Sequence, residues 1–238
     1  MTPIIIANWK MHFTLEETNA FCNKLVGTQR DNLIIAPPIP YIALLAATFP
    51  KINFCAQNLS SFAEEGAYTG EYSSKMIKSC GINHAIIGHS ERRTLFKETD
   101  ELIAAKVNAS LDAEVTPIIC IGESIQVRQS GNYVQFLIDQ LKASLPTATD
   151  DDIIIAYEPV WSIGTNQIPT EQQLIETFQA INSYLEQSKV AKNVRLLYGG
   201  SVNSDNIEMI RDLDHVSGVL VGKSSLDLGI LIKMLERL

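Results

Sequence analysis

Residues 4–11 read Ile-Ile-Ile-Ala-Asn-Trp-Lys-Met, a short apolar run that ends in an amide and an ammonium side chain. The run is continuous rather than alternating, which is typical of a strand covered on both faces in a parallel sheet. A doubly wound sheet usually carries a Gly-x-Gly-x-x-Gly turn directly after its first strand, and this turn is missing here. The first strand therefore favours a barrel over a doubly wound sheet.

Seven further apolar runs follow along the 238 residues. The eight runs cover residues 4–7, 33–36, 52–56, 85–87, 117–121, 153–157, 194–198 and 219–221. Segments between them have helical spacing, as where Leu174, Ile175, Phe178, Ile181 and Leu185 line one predicted face.

Two of the predicted helices have recognisable starts. Thr14 with Glu17, and Thr170 with Gln173, fit the capping box in which each end hydrogen-bonds the backbone amide of the other. Strand and helix alternate along the whole chain, without a Gly/Ser linker or a low-complexity tract. We therefore predict one α/β domain over residues 1–238, a (β/α)₈ barrel with eight parallel strands.

Composition and charge restrict the class of function. The chain is 46% hydrophobic and carries a net charge of −8, which disfavours long-range attraction to nucleic acid or to an anionic membrane. An anionic ligand would need a locally positive pocket. The four cysteines lie far apart with no histidine at metal-ligand spacing, so a structural zinc site is not expected. The start lacks the features of a signal peptide, and we expect a cytoplasmic protein.

Polar side chains follow several of the predicted strands. Asn8 and Lys10 follow the first strand, His89 follows the fourth, and Glu158 follows the sixth. The C-terminal ends of barrel strands meet at one mouth, where barrel enzymes carry their chemistry. One amide, one ammonium, one imidazole and one carboxylate are thus predicted to face the same cleft.

Glycine-containing turns follow the last two strands, at residues 199–201 and 222–224. Glycine lets the backbone approach a ligand, and free amides at a helix start bind anions. Taken alone, a Gly-Gly turn is more often a plain connection than a phosphate site. A lone histidine is about as often structural as catalytic, and Lys10 alone is as often a solvated surface lysine. Arg92 and Arg93 are expected to form ion pairs near the rim. The coincidence of these elements on one face favours a functional site.

Several segments resemble the signature segments of triosephosphate isomerases, in the order of that family. They are Asn-Trp-Lys-Met at 8–11, Ile-Gly-His-Ser-Glu-Arg-Arg at 87–93, Ala-Tyr-Glu-Pro-Val-Trp at 156–161 and Tyr-Gly-Gly-Ser-Val at 198–202. Residues 56–58, 66–71 and 120–123 also match, so the likeness covers essentially the whole chain.

This resemblance implies a TIM barrel that interconverts dihydroxyacetone phosphate and D-glyceraldehyde 3-phosphate through an enediolate. Glu158 would move the proton, as a carboxylate that can accept and release it. His89 and Asn8 would donate hydrogen bonds to the enediolate, and Lys10 would supply positive charge. The helix start after His89 would keep its imidazole neutral.

The resemblance also implies a lid over residues 159–169 that excludes water. Amides near Gly164, Ser201, Gly222 and Lys223 would hold the substrate phosphate. No metal and no organic cofactor is implied. A homodimer is implied, in which the loop at residues 66–71 reaches the neighbouring subunit with Thr69 as its contact.

Three segments depart from the family pattern. His12-Phe13 stands in place of Asn-Gly, which predicts different packing of the first loop and its interface. Residues 166–169 read Asn-Gln-Ile-Pro instead of Gly-Lys-Thr-Ala, and Pro169 predicts altered lid kinetics. Lys223 replaces a glycine, which predicts a loss of backbone freedom, an added charge near the phosphate, or a solvent-pointing side chain whose amide still binds. The last of these is favoured.

Three other functions remain open from the sequence. One of them, a second and non-enzymatic role on the surface, leaves no signal in it. Another phosphate-binding barrel enzyme would share the glycines after the last two strands, but it would have no reason to combine Asn8, Lys10, His89 and Glu158. A catalytically silent barrel acting as a binding or scaffold protein would be expected to lack at least one of the four, and all four are present.

Overall fold

The computed structural model describes residues 2–28, 31–146, 148–163 and 167–238. Eight parallel strands close into a barrel in sequence order, because the first strand pairs with both the second and the eighth. This confirms the predicted (β/α)₈ barrel. The strands are β1 Ile4–Asn8, β2 Leu33–Ala36, β3 Asn53–Ala56, β4 His84–Ile87, β5 Thr116–Ile121, β6 Thr149–Tyr157, β7 Ala191–Tyr198 and β8 Val216–Val221.

Each predicted apolar run coincides with a strand, but several strands begin earlier than the runs. β6 starts at Thr149 and β7 at Ala191, several residues before the apolar stretch. Most of these added residues are polar and exposed, since they extend beyond the core at the N-terminal end of the barrel. Hydrophobicity alone therefore could not reveal them.

The helices lie outside the barrel. Within the described residues they are α1 Leu15–Leu25, α2 Ile39–Thr48, α3 Ser74–Ser79, α4 Ser90–Leu95, α5 Asp100–Asp112, α6 Ile125–Gln129, α7 Tyr133–Ser144, α8 Glu171–Ser188, α9 Ile207–Arg211 and α10 Leu228–Arg237. Short 3₁₀ turns cover Val26–Thr28, Val160–Ser162 and Lys223–Leu226. In this part of the chain, no helix has the length and hydropathy needed to cross a bilayer.

Both predicted capping boxes are confirmed. The Thr14 amide donates to Glu17 Oε2 at 2.7 Å and the Glu17 amide donates back to Thr14 Oγ1 at 3.3 Å. Thr170 and Gln173 repeat the arrangement at the start of α8. On α8 one assignment was wrong: Ile175 is 37% exposed, because it lies about 100° around the helix from the buried face.

The strands are buried on both faces, which explains their continuous apolar runs. Inside the barrel, Ile6 packs in a cluster with Ile118 and other inward side chains. Its neighbour Ile5 points outward into a larger cluster shared with the helices. All strands run parallel, so their C-terminal ends share one mouth of the barrel.

The loop after β1 holds the first departure from the family pattern. Phe13 has a φ of 72°, in the left-handed region that favours glycine. Its ring packs edge-on against Trp9 with centroids 5.1 Å apart, and it packs at a tilt against Phe21 with centroids 5.7 Å apart. These contacts offset the backbone strain, since burying an aromatic ring is strongly favourable.

Candidate active site

Asn8 and Lys10 enter the mouth from the end of β1. The Asn8 side chain is buried, and its Oδ1 accepts the Lys10 amide proton at 3.0 Å. Lys10 has a left-handed φ of 51°, and Gln57 Nε2 donates to its carbonyl at 2.8 Å. The backbone of Lys10 is thus held from both sides in a conformation that lysine rarely adopts.

The Lys10 ammonium forms an ion pair with Glu91 Oε1 at 2.6 Å. Its stem runs past Gly222, where an added Cβ would lie only 3.2 Å from Lys10 Cε. Glycine at position 222 therefore leaves the space that this side chain occupies.

His89 stands at the start of α4 and is buried. Its Nδ1 accepts the backbone amide proton of Glu91 at 3.2 Å. Because a nitrogen that accepts a hydrogen bond carries no proton, this contact selects the neutral imidazole with its proton on Nε2. The dipole of the helix start was predicted to keep this imidazole neutral, and the hydrogen bond favours the same neutral form.

Glu158 lies directly after β6 and is 1% exposed. Its Oε1 is 3.1 Å from His89 Nε2, and its Oε2 accepts the Ser90 amide proton at 2.8 Å. Ser90 is the first residue of α4, so its amide has no partner within the helix. Burial raises the pKa of the Cys120 thiol, and the negative charge of the nearby Glu158 carboxylate raises it further. The thiol therefore stays neutral beside the carboxylate.

Arg92 and Arg93 are occupied in ion pairs, as predicted. Arg92 Nε lies 2.5 Å from the buried Glu98 carboxylate, which also accepts from Lys106 Nζ at 2.6 Å. Arg93 Nη1 lies 2.5 Å from Asp100 Oδ1. Neither guanidinium lines the cleft.

Residues after β7 and β8 form one wall of the cleft. Ser201 Oγ donates to the Ser162 carbonyl at 2.6 Å. The amides of Gly222 and Lys223 make no hydrogen bond to another described residue. Lys223 is exposed and has no left-handed φ, so this lysine costs no backbone freedom. Gly164, also predicted here, lies outside the described residues.

The described ends of the predicted lid are tied to the barrel. Trp161 Nε1 donates to Glu123 Oε1 at 3.0 Å, and the Val160 amide donates to the Glu123 carbonyl at 3.1 Å. Glu123 is fully buried, and burial raises the pKa of its carboxyl group. On the far side Pro169 is buried, whereas Asn166 of the predicted hinge lies outside the described residues.

Together these walls enclose a cleft of about 460 Å³ at the C-terminal mouth of the barrel. Seven predicted site residues line it: Asn8, Lys10, His89, Glu158, Ser201, Gly222 and Lys223. The sequence interpretation missed Gln57, Glu91 and Glu123 as supporting residues. All three belong to segments that carried the family resemblance, but their contacts join distant parts of the chain.

Comparison with known proteins agrees with this geometry. The family model described as "Triosephosphate isomerase" matches residues 3–238. A triosephosphate isomerase of Francisella tularensis subsp. mediasiatica is 39% identical over 236 residues, covering 95% of this chain and 93% of that protein. One from Orientia tsutsugamushi is 41% identical over 239 residues, covering 96% and 94%. One from Thermodesulfovibrio yellowstonii is 40% identical over 232 residues, covering 94% of each.

Proposed function

The chain belongs to the triosephosphate isomerase family and is an isomerase of triose phosphates, and we propose that Glu158 transfers the proton in this reaction. The substrates are dihydroxyacetone phosphate and D-glyceraldehyde 3-phosphate. The observation that carries the proposal is the 3.1 Å contact between Glu158 Oε1 and His89 Nε2, in a cleft that also contains Asn8 and Lys10.

In the structure Glu158 is in a resting arrangement. Its Oε2 accepts a hydrogen bond from the Ser90 amide, and its Oε1 lies 3.1 Å from His89 Nε2. A carboxylate held by a backbone amide is a weaker base, so substrate binding must draw Glu158 away from Ser90 and toward the substrate carbon. The same movement takes Glu158 Oε1 away from His89 Nε2 and leaves that nitrogen facing the substrate.

Glu158 then removes a proton from the carbon beside the substrate carbonyl, and an enediolate forms. Its oxygens need hydrogen-bond donors that are already in position. The neutral His89 Nε2 and the buried Asn8 amide supply them, and Lys10 adds positive charge. Glu158 completes the reaction by returning the proton to the neighbouring carbon.

The substrate phosphate binds on the wall formed by the residues after β7 and β8. The unpaired amides of Gly222 and Lys223 point to an anion site made from backbone, with Ser201 beside it. The lid over residues 159–169, including Gly164, closes over this wall and excludes water. The tie between Ser201 Oγ and the Ser162 carbonyl supports this, because it joins the lid to the phosphate wall.

The test is isomerisation of glyceraldehyde 3-phosphate, coupled to reduction of the dihydroxyacetone phosphate that is formed. We expect an active wild-type protein and a loss of at least about 100-fold in kcat for Glu158→Gln. The amide keeps the size of the side chain and can still accept from Ser90, so the fold should persist. Glu186→Gln, on the outer helix α8, is the control and should keep wild-type activity.

A folded wild-type protein without activity would overturn the proposed function. An active Glu158→Gln variant would instead overturn the role of Glu158. The scaffold alternative gains no support from the site, because the four polar residues line one cleft.

We also propose that residues 1–238 act as one catalytic domain in a cytoplasmic homodimer. Met11, in the first loop of the predicted interface, is 94% exposed, which leaves a large apolar side chain for a partner subunit to cover. Phe62 stacks on Tyr68 with centroids 3.7 Å apart, which shapes the exposed loop that carries Thr69. Light scattering should give twice the chain mass, and Thr69→Arg should shift the protein toward monomer.

A further inference from the structure

Apart from Lys223, the charged side chains that line the cleft do not favour the binding of an anion. Lys10 is paired with Glu91 at 2.6 Å, so these two charges largely cancel. His89 is neutral in the tautomer selected by its hydrogen bond, and Glu158 adds a negative charge. Without Lys223, the described lining would thus be net negative, and residues 164–166 contain no charged side chain.

Lys223 differs from Lys10 in its surroundings. It lines the cleft and is exposed, and its ammonium makes no ion pair or hydrogen bond with any other described residue. It follows Gly222 at the start of a 3₁₀ turn whose first amides are available to an anion. The side-chain charge and the anion-binding amides therefore belong to the same short segment.

We propose that the Lys223 ammonium draws the substrate phosphate into the cleft and increases the rate of productive encounter. The proposal rests on the proposed isomerase function. A phosphate monoester carries a charge between about −1.5 and −2 at neutral pH, and the protein has a net charge of −8. Long-range attraction must then come from a local field, and an unpaired cation at the rim of a cleft provides one.

This role belongs to the side chain and is separate from anion binding by the Lys223 amide. An exposed charge acts over the Debye length, about 10 Å at 0.1 M salt, so its effect must shrink as salt is added. A purely amide-binding residue would show no such dependence on the side-chain charge. Salt dependence of kcat/KM thus separates the two roles.

The experiment compares wild type, Lys223→Gln, Lys223→Arg and Lys192→Gln in the isomerisation assay at low and high ionic strength. Lys192→Gln removes the same charge from an exposed position near the N-terminal end of β7, about 20 Å along the strand from the mouth. We expect Lys223→Gln to lose about two- to fivefold in kcat/KM at low salt, with most of the loss in KM, and the difference to vanish near 0.5 M salt.

Three further results are expected. Lys223→Arg restores wild-type kcat/KM, Lys192→Gln leaves it unchanged, and inorganic phosphate becomes a weaker competitive inhibitor of Lys223→Gln by a similar factor. An active wild type combined with an unchanged salt dependence in Lys223→Gln overturns the inference while leaving the isomerase function intact. Equal losses in Lys223→Gln and Lys192→Gln also overturn it, because net charge alone would then be responsible. An inactive wild type refutes the proposed function itself.

Discussion

Gly122 offers a sharp test of how tightly the barrel positions the proposed base. A Cβ atom at this residue, in the turn after β5, would lie 1.7 Å from the Glu158 carbonyl oxygen and 2.7 Å from its carbonyl carbon. Real Cβ atoms essentially never come within 3.0 Å of such neighbours. Gly122→Ala must therefore separate the two backbones by more than about 1 Å, and a displacement of that size at a catalytic group costs on the order of 100-fold in rate.

Alanine at two other glycines should have smaller effects on activity, which gives a graded comparison. At Gly199 an added Cβ would lie 2.9 Å from Glu158 Cγ, so a small shift relieves the contact and we expect a loss on the order of tenfold. At Gly27, in a 3₁₀ turn outside the cleft, an added Cβ has no neighbour within 4 Å. Gly27→Ala should therefore keep wild-type activity.

The assay is kcat/KM for glyceraldehyde 3-phosphate, with circular dichroism and thermal unfolding to establish that each variant is folded. A 100-fold loss corresponds to about 2.7 kcal/mol of transition-state stabilisation. Wild-type activity in folded Gly122→Ala would refute this account of how Glu158 is positioned. If Gly122→Ala does not fold, the comparison of Gly199→Ala with Gly27→Ala still tests how Glu158 is positioned. Equal activity in these two variants would contradict the account.

Two predictions concern stability. Burial lowers the pKa of the His84 imidazole below its ordinary value of 6.5, and the positive charges of Arg195 and Lys78 lower it further. The unfolded chain therefore binds the proton first, and the wild type loses stability as the pH falls below about 6.5. His84→Gln should flatten Tm between pH 7 and pH 5, and parallel curves would contradict this. Lys106→Met leaves the buried Glu98 with Arg92 alone and should cost about 3–5 kcal/mol in urea unfolding. The exposed change Lys142→Met should cost less than about 1 kcal/mol, and similar losses in both would refute the difference.

Local sequence signals predicted the order of the elements. The eight apolar runs coincide with β1 to β8 because both faces of each strand are buried, so hydrophobicity is continuous there. The capping box at Thr14 was also predictable, because both of its hydrogen bonds join residues three positions apart. The early start of β6 at Thr149 was not, since its first residues are polar and exposed.

The candidate site likewise has a part that the sequence predicted and a part that it did not. Asn8, His89 and Glu158 could be assigned to one cleft from the sequence, because parallel strands bring their C-terminal ends to a single mouth. The pairing of Lys10 with Glu91 joins residues 81 positions apart, and no local pattern specifies it.

By itself, the sequence determined the barrel, its strand order and the residue types at its mouth, because periodicity, capping and strand ends depend on near neighbours along the chain. Only the tertiary structure decided which backbone amide holds Glu158, which tautomer His89 adopts and which lysine of the cleft is unpaired. These properties depend on distances of about 3 Å between groups from different strands and loops. Such distances are set by how the whole barrel closes.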